Sequence, residues 1–575
     1  MIRRSSALVL LALVAVLNCA APPPRDAGPA SAPASAPAPS RTMQMVVNTE
    51  VGNLSSKAVG PVNPQRTTRL FNASMTLVDG QENVRPYIAE SMPQLNTESW
   101  RVLTDGRMEN TWKLRPGLTW HDGTPLTADD FVFAHQVYTA PGLAVFEPKP
   151  TNLIEQITAV DPQTLRISWR STYLDNGVGH DPLPRSRLGE ALAAYEEDPA
   201  GQRDAFLAHR FWTMDYVGAG PYRLTNWEPA SHMEGAAFDG HALGKPRIDR
   251  FVLRFINDGN TVLSTVLAGQ THYVMTGTMG FENAMVLRRQ GGFNDTEGQG
   301  KIHPIGSAVI AAATQHRPEY QQTAALLDVR VRKAVVHAID RESINDGLYE
   351  GQAPVANTFF VPESPYYPEI DRALTKYPYD PRRTEQFMVE AGFAKDRDGF
   401  FASANGERLQ PLFWTPAAAQ REQLLAILVN TWQRAGLDVQ AFIMPNTLAR
   451  DQQANTTFPG MLAYGTGLME ATAAQSLASE QIGTAANRWN GSNRGGWSNP
   501  EYDSLWDRYN KTLDRPEQIQ TIVQMMKLQS EQLPNFPLYY FINPVAHVSA
   551  LKGPETGAIG TTPHWNIHLW ELPVL

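Results

Sequence analysis

The stretch from Trp112 to His135 constrains the fold of this chain more than any other. It opens with three apolar residues set among polar ones, as in a half-buried strand: Trp112, Leu114 and Leu118. The sequence H-D-G-T-P at 121–125 predicts a turn, because glycine accepts positive φ and proline fixes φ after it. Thr127 is expected to cap a helix, with Asp130 three residues later in the capping-box position. We therefore predict a strand, a tight turn and a helix in direct succession.

Length and charge narrow the class of protein. A chain of 575 residues is too long for one simple core, so two or more lobes are expected. The net charge of -9 argues against a nucleic-acid-binding protein, which needs a basic face. Beyond the N-terminal segment, no stretch approaches the ~18 consecutive apolar residues of a membrane-spanning helix, so the chain is not itself a permease.

The N-terminus has the pattern of a secretory signal. Two arginines precede an apolar run at 7–17, which is too short to span a bilayer and suits a signal peptide over 1–18. The run ends at Cys19 in a sequence that resembles the bacterial lipoprotein box, with Asn18 where that box usually has Gly, Ala or Ser. We predict a lipidated Cys19 with more than one acyl chain, since one chain anchors a protein only marginally. The alternative is an unmodified cysteine beside an apolar run.

The segment 19–42 is predicted to be a tether. Its residues 20–40 are almost all proline, alanine and serine, so they offer no apolar face that folding would bury. Repeated proline favours an extended polyproline II chain of ~3.1 Å per residue. A tether of this kind would hold a folded domain away from a membrane and leave it free to reach a partner there.

Several short motifs follow one another in an order that resembles one family. They are W-K-L-R-P-G-L-T-W-H-D-G-T-P at 112–125, P-Y-I-A-E-S at 86–91, V-G-A-G-P-Y-R-L at 217–224, D-V-R-V-R-K-A-V-V-H-A-I-D-R at 328–341, Y-D-P-R-R at 379–383 and L-P-N-F-P-L-Y-Y at 533–540. Together they resemble the oligopeptide- and dipeptide-binding proteins of ABC importers, the bacterial extracellular solute-binding family 5. The resemblance extends over most of residues 44–545.

The resemblance implies a fold class and a division of the chain. The expected fold is α/β and periplasmic-binding-protein-like, with two lobes around a central cleft (class II type) and an extra subdomain in the first lobe. The first lobe is expected over 43–275, with the inserted subdomain at about 71–214. The second lobe is expected over 276–535, and 536–575 should return to the first lobe. A monomer is expected.

The sequence offers no defensible catalytic site. There is no G-x-S-x-G, H-E-x-x-H, C-x-x-C or phosphate-loop motif, so we expect no catalytic residues, cofactor or metal. His121 and Asp122 resemble a catalytic pair, but they lie in the turn of the signature and are interpreted as scaffold. His564 and His568 have the spacing of two metal ligands on a helix, whereas Pro563 favours a strand or loop there.

The resemblance implies that the ligand binds in the cleft between the lobes. In peptide-binding members, a segment of the second lobe carries an Asp that pairs with the ligand's α-amino group, near an Arg and a Trp. The corresponding segment here, 458–470, has none of these, and Glu470 is its one carboxylate. The candidate ligand-binding residues are Val59, Phe146, Trp414, Tyr464, Glu470 and Trp497. Core packing is the alternative for each aromatic residue, and a solvated loop acid is the alternative for Glu470.

The predicted function is capture of a solute. A lipoprotein tethered at the periplasmic or cell-surface side of the membrane would close on a peptide or peptide-like solute and deliver it to an ABC permease. The energy would come from the partner ATPase. The alternatives are a non-peptide solute, such as a sugar, an opine or a modified amino acid, taken up for import or for sensing. A secreted lipoprotein hydrolase is disfavoured by the missing nucleophile and metal motifs.

Overall fold

The computed structural model describes residues 41–55, 67–81, 83–143, 150–294, 298–468, 470–555 and 564–573. The predicted signal peptide, Cys19 and nearly all of the predicted tether lie outside these residues, as do Val59 and Phe146. Those predictions remain predictions.

Eighteen strands lie in the described residues. The first eleven are β1 (Thr42–Val47), β2 (Thr76–Val78), β3 (Val84–Pro86), β4 (Trp100–Val102), β5 (Met108–Lys113), β6 (Ile154–Asp161), β7 (Thr164–Trp169), β8 (Tyr222–Glu228), β9 (His232–Ala237), β10 (Arg250–Phe255) and β11 (Tyr273–Val274). The later seven are β12 (Gly300–Thr314), β13 (Ala394–Lys395), β14 (Phe401–Ala402), β15 (Leu412–Pro416), β16 (Gln440–Met444), β17 (Met461–Thr466) and β18 (Asn535–Val548).

Fifteen α-helices alternate with these strands along the described chain. The first six are α1 (Thr68–Phe71), α2 (Ala128–Thr139), α3 (Arg185–Glu197), α4 (Pro199–Leu207), α5 (Gly259–Leu267) and α6 (Phe281–Gly291). The later nine are α7 (Val329–His337), α8 (Arg341–Tyr349), α9 (Tyr367–Ala373), α10 (Pro381–Glu390), α11 (Ala419–Ala435), α12 (Asn446–Ala449), α13 (Glu470–Gln475), α14 (Pro500–Lys511) and α15 (Arg515–Gln532).

One ten-stranded sheet runs through the protein in the order β16-β15-β17-β12-β18-β11-β1-β10-β9-β8. In one half, β1 lies parallel to β10 and β11. In the other half, β15 lies parallel to β16 and β17. The long strands β12 and β18 pair antiparallel between the two halves, from Gly300 opposite Val548 to Ala313 opposite Asn535. These two strands therefore connect the two sets of parallel strands.

A smaller antiparallel sheet, in the order β4-β5-β7-β6, lies apart from the large one. Its strands fall inside the span 71–214 that the sequence predicts as an inserted subdomain. Trp112 on β5 and Trp169 on β7 are fully buried in the same hydrophobic core. Trp570, near the C-terminus, joins that core with its ring 4.8 Å from the ring of Tyr273 on β11. The lobe boundaries themselves stay a prediction.

The turn and the helix of the signature stretch form as predicted, whereas the strand β5 ends at Lys113, before Leu114 and Leu118. β5 is followed by a turn in which Gly123 has a φ of 86°. α2 then begins after Thr127, and the predicted capping box is confirmed. The backbone nitrogen of Thr127 donates to the Asp130 carboxylate at 2.9 Å. The side chain of Trp120 also donates to Asp130, at 3.1 Å, so this buried acid ties the turn to the helix.

His121 and Asp122 have structural partners in this turn. The Gly218 backbone nitrogen donates to His121 Nδ1 at 3.2 Å, and His121 Nε2 lies 3.0 Å from the Gly220 carbonyl oxygen. Because a backbone N–H only donates, Nδ1 carries no proton and Nε2 donates to Gly220. Asp122 pairs with Arg187 at 2.7 Å. The two residues therefore fasten the signature turn to the V-G-A-G-P-Y segment.

The glycines of that segment are required by a close approach of two backbones. A Cβ atom at Gly218 would lie 2.0 Å from the carbonyl oxygen of Phe71, and one at Gly220 would lie 2.4 Å from the Phe71 carbonyl carbon. The Gly220 backbone nitrogen donates to the same Phe71 oxygen at 2.9 Å. Any side chain at either position would break this contact.

The sequence also predicts a helix over 424–435 that Gly436 ends, and a strand that starts at Leu437; both elements begin at other residues than expected. The helix predicted over 424–435 begins earlier, at Ala419, since the preceding residues are good helix formers. It ends as predicted, with Gly436 at a φ of 93°. The strand predicted from Leu437 begins at Gln440, because the Leu437 backbone nitrogen still donates to the Trp432 carbonyl in the helix cap. None of the helices in the described part combines the length and hydropathy that a bilayer crossing requires.

Candidate functional site

In both halves of the large sheet, the carboxyl ends of the parallel strands point toward the middle of the long strands β12 and β18. Thr466, at the carboxyl end of β17, lies opposite Val309 near the middle of β12. β15 runs parallel to β17, so its carboxyl end points the same way. Val274, at the carboxyl end of β11, lies opposite Ala546 on β18, and β1 runs parallel to β11. Ligands of α/β folds bind outside the carboxyl ends of parallel strands, so this middle region is the expected site.

A cavity of about 320 Å³ lies between the segment that follows β7 and the helices α13, α14 and α15. Its lining, which we call the cleft cavity, consists of Tyr173, Leu174, Asp175, Ala471, Gln475, Trp506, Tyr509, Asn510 and Gln518. The first three residues follow β7 of the small sheet, whereas the other six belong to α13, α14 and α15. Beside the cavity, the Thr172 hydroxyl donates to the Lys511 carbonyl oxygen at 2.6 Å. The segment after β7 and the helix α14 are thus in direct contact here.

Stacked aromatic rings form one wall of the cleft cavity. The rings of Trp506 and Tyr509 lie 5.6 Å apart at an angle of 13°. The Trp506 indole nitrogen donates to the Glu480 carboxylate at 2.9 Å, which fixes the ring orientation. An aromatic wall with polar groups at its rim is typical of a small-molecule site.

Glu470 adjoins this wall, and its charge is already paired. The Tyr509 hydroxyl donates to Glu470 Oε1 at 2.8 Å. Arg515 donates to both carboxylate oxygens, at 2.8 Å to Oε1 and 2.5 Å to Oε2. Burial, followed by the nearby Glu470 charge, raises the pKa of Tyr509 well above its usual range, so this hydroxyl stays protonated as a donor. The carboxylate therefore has an internal cation where a ligand ammonium group would otherwise sit.

Arg421 lies beside Gly465 of β17, which is paired with Ile310 on the long strand β12. It lies in the first turn of α11, just after the carboxyl end of β15. A Cβ atom at Gly465 of β17 would lie 3.9 Å from Arg421 Nη2, so the guanidinium lies within van der Waals reach of this strand. Arg421 Nη1 is buried and meets no hydrogen-bond acceptor among the described residues. Burial lowers the pKa of this guanidinium, but no carboxylate of the described chain compensates its charge.

Two tyrosines are the electrostatic neighbours of Arg421. Burial raises the pKa of Tyr539 to about 12, while the Arg421 charge opposes that shift. The Tyr539 hydroxyl is buried and has no partner among the described residues. The Tyr349 hydroxyl accepts from the Ile542 backbone nitrogen at 3.2 Å. The region therefore presents one uncompensated cation and one unused hydroxyl, a combination suited to an anionic group.

The structure places the predicted aromatic site residues away from the cleft cavity. Trp497 is buried and packs its ring 5.5 Å from Tyr502. The Tyr464 hydroxyl accepts from the Asn535 side chain at 2.6 Å. Trp414 packs its ring 4.9 Å from Phe442 at the end of the large sheet. Of the predicted residues in the described chain, Glu470 alone adjoins the cavity, and the binding role of all of them stays a prediction.

The sequence did not single out Arg421 or Arg515. Arg421 had no detectable signal, because the sequence predicts its helix only from residue 424, whereas α11 begins at Ala419. Arg515 had none, because its partner Glu470 is 45 residues away along the chain.

Among the described residues, no group of three or more His, Cys, Asp or Glu side chains could hold a metal ion. His568 lies in a short 3-10 turn, Ile567–Leu569, rather than on an α-helix. Its ring packs 5.1 Å from the ring of His241.

Sequence and structure comparisons identify similar proteins. The model of the bacterial extracellular solute-binding proteins, family 5 Middle, matches residues 90–478. The oligopeptide-binding protein AppA of Bacillus subtilis is 22% identical over 494 residues, which cover 83% of this chain and 82% of AppA.

Two solved structures have a similar fold. The oligopeptide binding protein of Thermus thermophilus, complexed with a pentapeptide, aligns with a TM-score of 0.72 and 22% identity over 92% of this chain and 96% of its own. NikZ of Campylobacter jejuni, in complex with Ni(L-His), aligns with a TM-score of 0.72 and 21% identity over 93% of this chain and 100% of its own.

These comparisons confirm the predicted fold class, a periplasmic-binding-protein-like α/β fold with two lobes and a central cleft. The match of the family model spans more than half of the chain and also confirms the family that the motifs resemble. The chain belongs to the bacterial extracellular solute-binding proteins of family 5.

Proposed function

We propose that this protein captures a peptide or peptide-like solute between its two lobes and delivers it to an ABC permease. It acts as a monomer, and a partner ATPase supplies the energy. The names of similar proteins support this proposal, since AppA of Bacillus subtilis and the Thermus thermophilus protein are oligopeptide-binding proteins. The lobes are taken as 43–275 with 536–575, and 276–535. They would close by bending β12 and β18, the two strands shared by both halves of the sheet.

The observation that carries the proposal is the uncompensated Arg421 guanidinium beside the middle of these strands. A buried cation without a partner is costly, and a ligand carboxylate would offset that cost. The C-terminal carboxylate of a peptide supplies this group. Because Glu470 is already paired with Arg515, the α-amino group of the solute is not the main anchor.

A second candidate solute is a non-peptide compound that also carries an anionic group. The similar fold of NikZ, solved in complex with Ni(L-His), favours keeping this candidate. The same arginine would bind either kind of anion.

Calorimetry with a peptide panel tests the proposal. Tri-, tetra- and pentapeptides are titrated in free, N-acetylated and C-amidated forms. We expect acetylation to change Kd by less than about threefold and amidation to weaken binding by about 30-fold, since amidation leaves the buried arginine unpaired. Binding that is lost on acetylation and kept on amidation would contradict the assignment of Arg421. If no peptide binds in any form, the solute is not a peptide, and mass spectrometry of a co-purifying ligand identifies its class.

We also propose that Cys19 carries the lipid anchor. Since it is the one cysteine in the sequence, a fatty-acid label gives an unambiguous readout. We expect metabolic labelling of the full-length protein with a fatty acid, and none of Cys19→Ala. Ser40→Ala, in the same segment, is the matched control and should keep the label. A labelled Cys19→Ala variant, or an unlabelled wild type, would refute the anchor.

A further inference from the structure

A second cavity, of about 420 Å³, lies within residues 336–537. Its walls come from the end of α7 and the start of α8, the segments 357–359 and 374–377, the end of α15 and the first residues of β18. We call it the Arg341 cavity after the arginine that lines it. None of its sixteen lining residues lines the cleft cavity. The two cavities are therefore separate sites.

Arg341 brings a buried positive charge to this cavity. The residue is only 9% exposed. Its Nε donates to the Pro537 carbonyl oxygen at 3.1 Å, and its Nη1 donates to the Tyr377 carbonyl oxygen at 3.3 Å. Both acceptors are neutral carbonyl oxygens, and no carboxylate of the described residues offsets the guanidinium charge. Burial lowers the pKa of the guanidinium to about 10, so it remains charged at neutral pH.

The remaining lining favours an anion over a cation. No acidic residue lines the cavity, and its second basic residue, Lys376, pairs with Asp371 at 2.7 Å outside the lining. Thr358 is 3% exposed, and its hydroxyl has no hydrogen-bond partner among the described residues. Native proteins satisfy the great majority of buried polar atoms, so the unpartnered Thr358 hydroxyl, in the same cavity as the Arg341 charge, indicates an absent partner.

Apolar side chains complete the cavity. Phe359, Leu374 and Met526 are among them. An inorganic ion would leave these walls without contacts. A compound with a carboxylate and an apolar body would satisfy both the polar and the apolar parts, since guanidinium–carboxylate hydrogen bonds are charge-assisted.

From this juxtaposition we propose that the Arg341 cavity is a second ligand site, which binds a small organic carboxylate with an apolar body. The site is independent of solute capture in the cleft. Its walls include the first residues of β18, the strand shared by both halves of the sheet. A carboxylate that binds in this cavity binds the folded protein and not the unfolded chain, so it would raise the free energy of unfolding.

Calorimetry and thermal unfolding of the purified protein test the site with three carboxylates: benzoate, phenylacetate and butyrate. Their neutral amides are the matched probes. We expect at least one carboxylate to bind saturably, to raise Tm and to bind at least about tenfold more tightly than its amide, as a charge-assisted contact predicts. Leu374→Trp, which fills the cavity, should abolish binding. Thr358→Val should weaken it about fivefold by removing one hydroxyl.

Further variants separate this site from the cleft. Arg421→Ala should leave carboxylate binding within about twofold of wild type, because Arg421 does not line the Arg341 cavity. Urea unfolding of Leu374→Trp and Thr358→Val checks that both variants fold. Three results would overturn the proposal: no carboxylate binds, the amides bind equally well, or Leu374→Trp binds like wild type. Loss of binding in Arg421→Ala would place the carboxylate in the cleft and also overturn it.

Discussion

Replacing Arg421 by alanine is expected to weaken solute binding by about 30-fold or more, since removing one member of a buried charge pair costs ~2–5 kcal/mol. The reason is the position of this guanidinium: Nη1 is buried and lacks an acceptor in the described chain, so the solute anion would be its partner. Arg421→Lys keeps the charge and loses the planar fork, so its affinity should lie between those of wild type and alanine. Calorimetry with the tightest solute of the panel measures both variants.

Arg434→Ala is the matched control for this experiment. Arg434 lies in the last turn of the same helix and is exposed. Both variants therefore remove one positive charge from α11. Its affinity should equal that of wild type. Stability gives a second readout, because an unpaired buried cation does not stabilise the free protein. Arg421→Ala should therefore unfold at the same or a higher urea concentration. A clear loss of stability with unchanged affinity would assign Arg421 a structural role instead.

Local chemistry explains why the signature stretch was predictable. The capping box of α2 joins Thr127 and Asp130, three residues apart, and the turn before it needs the positive φ of Gly123. Each feature depends on neighbours within one turn of chain, so the residue order is sufficient to predict it. The same holds for α11, whose end at Gly436 was predicted from a glycine cap.

The candidate site depends on contacts that residue order does not reveal. Glu470 was predicted as a cleft carboxylate, yet its neutralising partner Arg515 is 45 residues away. His121 resembles a catalytic residue until its partners Gly218 and Gly220 are known. Pairings of this kind arise from the packing of distant segments. Sequence motifs therefore predicted the family and its scaffold better than the solute-contacting groups.

The burial of three histidines predicts a strong dependence of protein stability on pH. Burial lowers the pKa of His121, His241 and His568 to about 4 each. In the unfolded chain these side chains titrate near ~6.5. Between these values the unfolded state binds more protons, so the free energy of unfolding is full above pH ~6.5 and decreases as pH falls to ~4. The shift corresponds to about 3 kcal/mol for each histidine, at ~1.4 kcal/mol per pKa unit. Urea unfolding at pH 7.5, 6.5, 5.5 and 4.5 measures it.

The variant His121→Gln isolates one of these contributions. In the wild type, protonation of His121 would break the hydrogen bond from Gly218 to Nδ1 and place a charge near Arg223 and His241. Glutamine forms weaker contacts in the turn and does not titrate. The variant should therefore be less stable than wild type at pH 7.5, and its free energy of unfolding should decrease less on acidification. The two curves should approach each other near pH ~4, where the stabilisation from the neutral imidazole has been lost. Parallel curves over this range would show that His121 does not contribute to the acid sensitivity, and the loss of stability would then come from other groups.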